Sequence, residues 1–281
     1  MQSQITGACR LRLFFVILLA VTWFNCSAQS TPLPNGFAHN DYCHKRPLLD
    51  ALDNGFVNIE ADIFLKDNNK LIVAHIFPYF KGKRTLERLY FQPLAERIAS
   101  HNGNVYSDYS KPIILMIDIK TGAKSTYQAL VPLLEKYRSM LTSLEDGKVV
   151  YRAVTVVLSG HKPYDMIENE QNRLAFIDED LRRVPRDTTN SNVFSMASCK
   201  YSKLLRWDGR GVFPDAEKSR LCAFVAMAHK LGEKVRLWAS PERKAVWDEL
   251  LKCGVDLINT DKLVALRQYL SANTISLAKA D

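Results

Sequence analysis

The chain has 281 residues, 47% of them hydrophobic and 24% charged, with a formal net charge of +8. That supply of apolar side chains builds a large core and excludes a disordered, collagenous or coiled-coil protein. Six cysteines are too few for a disulfide scaffold.

Residues 1–28 have the three parts of a secretory leader. Arg10 and Arg12 precede the apolar run Leu13–Phe24, and Cys26-Ser27-Ala28 offers small residues for cleavage. The run is about half the ~20 residues a membrane span needs. The expected product is therefore a secreted or periplasmic soluble domain over residues 29–281. Cys43, Cys199, Cys222 and Cys253 remain in it, and their spacing includes no C-x-x-C pair, which argues against zinc. The compartment permits a disulfide, but the sequence does not pair the cysteines, and buried thiols are the default reading. The basic charge is scattered, with Lys81-Gly82-Lys83-Arg84 and Arg182-Arg183 as its short clusters. No aromatic-rich basic motif accompanies them, so nucleic acid is not an expected partner. A solvated surface is their plainest role, and mild attraction to an anionic membrane or a phosphorylated substrate is compatible with them.

Short β-rich runs alternate with amphipathic stretches along this domain. Phe37-Ala38 ends a first strand, and Pro47–Asn54 reads as a helix closed by Gly55. Val57–Phe64 and Leu71–Ala74 are extended, Leu89–Ser100 is helical, and Ile113–Ile119 is a strand. Ser125–Leu141 reads as a long helix with Ser125 as its N-cap. Strands follow at Ala153–Leu158, Leu174–Ile177 and Val193–Met196, with residues 180–215 the least regular part. Lys218–Leu231, Lys244–Lys252 and Lys262–Leu270 are helices, separated by strands at Val235–Trp238 and Leu257–Asn259. About eight nearly continuous apolar strands alternating with helices predict a single (β/α)8 barrel, with a doubly wound sheet as the alternative.

The phosphate-cradling glycine loops, the G-x-S-x-G elbow and the H-E-x-x-H zinc motif are all missing. Polar residues collect instead at strand ends, where a barrel builds its active face. His39 follows the first strand. Glu60 and Asp62 share one face of Asn58-Ile59-Glu60-Ala61-Asp62-Ile63, because side chains alternate along a strand. His75 follows Leu71–Ala74, and Asp118 and Lys120 share a face of the next strand. Three carboxylates in one space repel, and a hard divalent cation, Mg2+ or Ca2+, relieves that repulsion. Two histidines beside it supply an acid and a base near neutral pH. With Lys120 as a fixed positive charge, the set suits a phosphodiester. Ser159, His161 and Asp178 sit at later strand ends, where ordinary loop roles are at least as good an account.

The same residues resemble a known superfamily, the glycerophosphodiester phosphodiesterases and phosphatidylinositol-specific phospholipase C-like barrels. Ala38-His39, Ile59-Glu60-Ala61-Asp62 and Val73-Ala74-His75 match its N-terminal motifs, and Asp118-Ile119-Lys120 its acid-x-lysine. Val235-Arg236-Leu237-Trp238 and Gly254-Val255-Asp256-Leu257-Ile258-Asn259-Thr260-Asp261 match its C-terminal ones. Asn40-Asp41-Tyr42 after the first histidine and Ile76 after the second depart from the usual glycerophosphodiesterase pattern. Asp118 in place of glutamate looks more like the sphingomyelinase D branch. His39-Asn40-Asp41-Tyr42 and Leu158-Ser159-Gly160-His161-Lys162-Pro163 look most like the branch named for altered inheritance of mitochondria protein 6.

The resemblance implies that Glu60, Asp62 and Asp118 ligate the metal, and that His39 and His75 form the acid–base pair. Lys120 would hold the phosphate, Trp238 would line the site, and Asn40 would orient metal or phosphate. A strand tryptophan is more often core. The implied activity is hydrolysis of a glycerophosphodiester or a phospholipid headgroup ester. The alternatives are a lyase forming a cyclic phosphate and a non-catalytic barrel binding a phosphorylated ligand or partner.

Overall fold

The computed structural model describes residues 31–76, 83–186 and 192–277. The expected leader, with Lys81 and Gly82 of the first basic cluster, lies outside them. Among the described residues the strands are β1 (Leu33–Ala38), β2 (Phe56–Lys66), β3 (Lys70–Val73), β4 (Ile113–Ile119), β5 (Ser143–Glu145) and β6 (Lys148–Val150). They continue as β7 (Val154–Gly160), β8 (Ala175–Asp180), β9 (Phe194–Lys200), β10 (Lys234–Trp238) and β11 (Leu257–Thr260). The helices are α1 (Leu49–Asp53), α2 (Gln92–Ser100), α3 (Ala123–Lys136), α4 (Tyr164–Asn169), α5 (Tyr201–Leu204), α6 (Asp215–Lys230), α7 (Lys244–Lys252) and α8 (Leu263–Leu277).

Eight of these strands close into a parallel barrel in the order β1, β2, β4, β7, β8, β9, β10, β11, with β11 returning to β1. Side-chain alternation divides each strand between two cores. Ile59, Ala61, Leu115, Ile117, Val156, Leu158, Ile177, Ala197, Val235 and Ile258 point outward under the helices. Phe37, Ile114, Met116, Val157, Met196 and Leu257 form a separate apolar plug inside the barrel. Burial on both faces explains why the strands read as continuous apolar runs. Above the plug the inward positions turn polar. Asp62 pairs in register with Asp118, and Asp118 with Ser159, one step beyond the layer of Glu60, Met116 and Val157.

Leu71–Ala74 is extended as expected, and as β3 it folds back antiparallel on β2 outside the barrel, with Ile63 opposite Val73. The return is made at Asp67-Asn68-Asn69, where both asparagines take left-handed φ of 59° and 56°, a conformation asparagine tolerates. Helix α3 starts at Ala123 with Gly122 in the cap position, so Ser125 lies inside its first turn and donates to the Gly122 carbonyl at 3.2 Å. The helix ends at Lys136, and a tight 3-10 turn leads into the antiparallel hairpin β5–β6. Its turn is Asp146-Gly147, both at positive φ, as a two-residue hairpin requires.

The cysteines also divide differently from the default of buried thiols. Cys222 on α6 is bonded to Cys253 just beyond α7, Cys199 is a buried thiol and Cys43 is exposed. The basic clusters are not merely solvated either. Arg84 donates to the Tyr42 carbonyl at 2.6 Å, and Arg182 pairs with Asp180 at 2.5 Å.

Candidate active site

The C-terminal ends of the strands open into a cavity of about 560 Å³, lined among others by His39, Glu60, His75, Asp118, Lys120, Arg236 and Trp238. Glu60 reaches it because β2 presents alternate residues inward, with Asp62 buried beside it on the same face, and Asp118 reaches it because β4 lies beside β2 in register. One carboxylate oxygen from each of these three residues lies within 4.8 Å of the others. Gly160 makes room for this at the end of β7. Its φ is +69°, and a Cβ there would lie 2.0 Å from Asp118 Oδ1.

Two buried oxygens of the cluster, Glu60 Oε2 and Asp118 Oδ1, have no hydrogen-bond partner. Unpaired buried carboxylate oxygens are costly, and three converging acids form an all-oxygen donor set suited to Mg2+ or Ca2+. The residues therefore fit a hard divalent cation. Cationic side chains offset part of the negative charge. Lys120 Nζ sits 3.0 Å from Asp62 and 2.7 Å from Asp118. Burial disfavours its charge, but the two carboxylates outweigh this and hold its pKa above the ordinary value. Burial pushes the Glu60 carboxyl upward, opposed by Arg236 and His39.

His39 follows β1, and its ring is fixed from behind. Nδ1 lies 2.7 Å from Asp261 Oδ1, just past β11. With the Nδ1 proton donated there, Nε2 faces the cavity, 3.5 Å from Glu60. Asp261 also accepts from Asn40 Nδ2 at 3.2 Å. His75 enters from β3, whose reversal carries it back over β2. The Tyr42 hydroxyl lies 2.7 Å from Asp62 Oδ2, 2.6 Å from Asn40 Oδ1 and 2.9 Å from His75 Nδ1. Its one proton serves Asp62 or Asn40, while its oxygen accepts from His75 Nδ1–H. Both histidines thus turn Nε2 away from the protein partners that hold Nδ1.

His39, His75, Glu60, Asp62, Asp118 and Lys120 accordingly meet in one place, although they come from three strands and a returning hairpin. Trp238 is 38% exposed and lines the mouth, so it is not a core residue. Asn40 spends its amide on Asp261 and Tyr42, behind His39. Ser159 and Asp178 line the cavity, whereas His161 is exposed and absent from its wall. Sequence reasoning assigned no role to Tyr42, Asp261 or Arg236, although each lies within a quoted motif. Arg236, only 3% exposed, packs 4.2 Å from the Phe37 ring and reaches within 3.6 Å of Glu60. A charged residue set between the buried apolar Val235 and Leu237 of a barrel strand was the available signal for it.

The fold class is that of the glycerophosphodiester phosphodiesterase barrels. The chain aligns with a crystal structure of a glycerophosphodiester phosphodiesterase from Parabacteroides distasonis at 12% identity and TM-score 0.54, covering 87% of this chain and 98% of that one. A putative glycerophosphodiester phosphodiesterase from Galdieria sulphuraria aligns at 14% identity and TM-score 0.50, covering 86% and 99%. Residues 26–178 match the family model described as AIM6-like phosphodiesterase domain, and the chain belongs to that family. Residues 234–263 match the glycerophosphoryl diester phosphodiesterase family. Among similar curated proteins are two called altered inheritance of mitochondria protein 6. The one from Eremothecium gossypii is 29% identical, over 83% of this chain and 68% of its own length. The one from Lachancea thermotolerans is 28% identical, over 82% and 64%.

Proposed function

We propose that this chain is an exported, divalent-metal-dependent phosphodiesterase acting on a glycerophosphodiester or a phospholipid headgroup ester. The observation that carries the reading is the convergence at one cavity of two braced histidines, Lys120 and three carboxylates, two of which, Glu60 and Asp118, carry a buried oxygen without a hydrogen-bond partner. Export is supported by the leader pattern and by the Cys222–Cys253 bond, since such bonds persist in oxidising compartments.

Glu60, Asp62 and Asp118 would hold the cation, which when bound supplies positive charge against the phosphate oxygens. Lys120 adds a fixed charge beside it and holds the phosphate. One histidine takes a proton through Nε2 from the nucleophile, either water or a neighbouring substrate hydroxyl. The other gives one through Nε2 to the leaving alkoxide. Asp261 and Tyr42 keep each Nδ1 committed, so that only Nε2 exchanges protons with substrate. An attacking substrate hydroxyl gives a cyclic phosphate, and attacking water gives the monoester directly.

The test is turnover of a chromogenic phosphodiester with Mg2+ or Ca2+, with products followed by phosphorus NMR. His39→Ala and His75→Ala should each lower the rate by ~10²–10⁴ with unchanged circular dichroism. Parental turnover in either variant would remove that histidine from the mechanism. No turnover by the parent protein would leave a barrel that only binds phosphorylated ligands.

A further inference from the structure

The mouth of the barrel is electrostatically divided. Neighbouring strands β1, β2 and β4 carry the half that holds His39, Glu60, Asp62 and Asp118. The other half is built by β7, β8, β9 and β10, where the same cavity is lined by Lys162, Arg182, Lys200, Lys203 and Trp238. Two acids lie on this side and both are engaged. Arg182 pairs with Asp180 at 2.5 Å, and buried Asp178 accepts from the Ser198 hydroxyl at 2.6 Å.

The three lysines are different. Lys162 donates to the Asp178 backbone carbonyl at 2.6 Å, and Lys200 Nζ lies 5.7 Å from the Trp238 ring. Among the described residues, neither these two nor Lys203 has a carboxylate ion-pair partner. A simple diester carries one negative charge, and Lys120 already lies beside the place for it. Lys162 is attracted by the nearby Asp178 and Asp180, and Lys200 and Lys203 add positive charge to the same wall, so an anion placed among the three gains from their combined potential.

We propose that the β7–β10 half of the mouth is a subsite for a second anionic group, a phosphate or a carboxylate, on one alcohol of the diester. Lys162, Lys200 and Lys203 meet that group, and the exposed Trp238 ring packs on the carbon skeleton joining it to the scissile phosphate. The inference rests on the phosphodiesterase reading and narrows its substrate class to diesters of an acidic alcohol.

Three synthetic diesters test it, alike in one glycerol half and differing in the other alcohol: glycerol, glycerate or glycerol 3-phosphate. With the metal-loaded full chain, kcat/KM for at least one charged diester should exceed that of the glycerol diester by about tenfold, the sum expected of a few solvent-facing ion pairs. Comparing the glycerate and glycerol 3-phosphate arms separates a carboxylate subsite from a phosphate one. The variant carrying Lys162→Gln, Lys200→Gln and Lys203→Gln should bring the charged-to-uncharged ratio to about 1, and added salt should compress it in the parent. A parental ratio near unity overturns the subsite and leaves the phosphodiesterase reading standing. If no diester is turned over, the matching phosphonates are titrated calorimetrically. Tighter binding of a charged phosphonate, lost in the triple variant, upholds the subsite even though the phosphodiesterase reading has failed. Equal binding, or none, overturns it.

Discussion

The ring of His39 is held by Asp261, a residue more than two hundred positions away, and that contact decides which nitrogen meets a substrate. Burial opposes the charged imidazole, but the Asp261 bond and the Glu60 charge outweigh it and hold the pKa above its ordinary 6.5. Asp261→Asn removes one of those negative charges, so the limb of the kcat/KM profile governed by His39 should move to lower pH. A limb that stays in place would separate Asp261 from the titration of His39. Gly160 supports a second residue-scale prediction. Gly160→Ala puts a methyl group into the space of the Asp118 carboxylate, and calorimetry should show metal affinity lowered by ~10–100-fold, as for lost outer-shell support. Unchanged affinity would mean that Asp118 is not a ligand. Glu60 and Asp62 were legible in the sequence because an i, i+2 pair on a strand shares a face. Tyr42 and Asp261 were not, because their importance lies in partners brought near only by barrel closure, and Arg236 showed in the sequence only as a charge between apolar strand residues.

The connection between β1 and α1 rests on Asp41. Its carboxylate is fully buried, accepts from the Leu48 amide at 2.5 Å and the Tyr90 hydroxyl at 2.8 Å, and leaves Oδ1 without a partner. Burial pushes its pKa up to about 6 from 3.8, with the two hydrogen bonds opposing. A raised carboxyl favours the protonated fold. Its stabilising contribution is complete below about 3.8, lost as pH rises through about 6, and worth about 3 kcal/mol. Asp41→Asn does not titrate, so denaturant unfolding should show its stability relative to the parent improving by about that amount between pH 4 and 8. A difference independent of pH would mean that Asp41 stays ionised in the fold. At this same scale the alternation of strands and helices was legible, because each stave is apolar on both faces. The hairpin β5–β6 and the reversal into β3 were missed because their turns, Asp146-Gly147 and Asp67-Asn68-Asn69, interrupt short segments with too few residues to show a period.

In the molecule as a whole, the apolar plug inside the barrel gives way at the C-terminal mouth to the layer where the buried carboxylates sit. That arrangement holds three acids together at a cost in repulsion, offset in part by Lys120 and Arg236. A cation that binds only the folded arrangement stabilises it by about 2.7 kcal/mol at a hundred times its dissociation constant. Metal should therefore raise the melting temperature and switch on diester turnover over one concentration range. The measurement that tests this most directly is a titration of the metal-stripped full chain with Mg2+ and, separately, Ca2+, following phosphodiester hydrolysis and melting temperature together. At least one ion should raise both with the same half-saturation, chelator should reverse both, and the variant Glu60→Gln, Asp62→Asn, Asp118→Asn should respond in neither. Turnover and melting temperature indifferent to both ions across millimolar concentrations would contradict the metal-centred account.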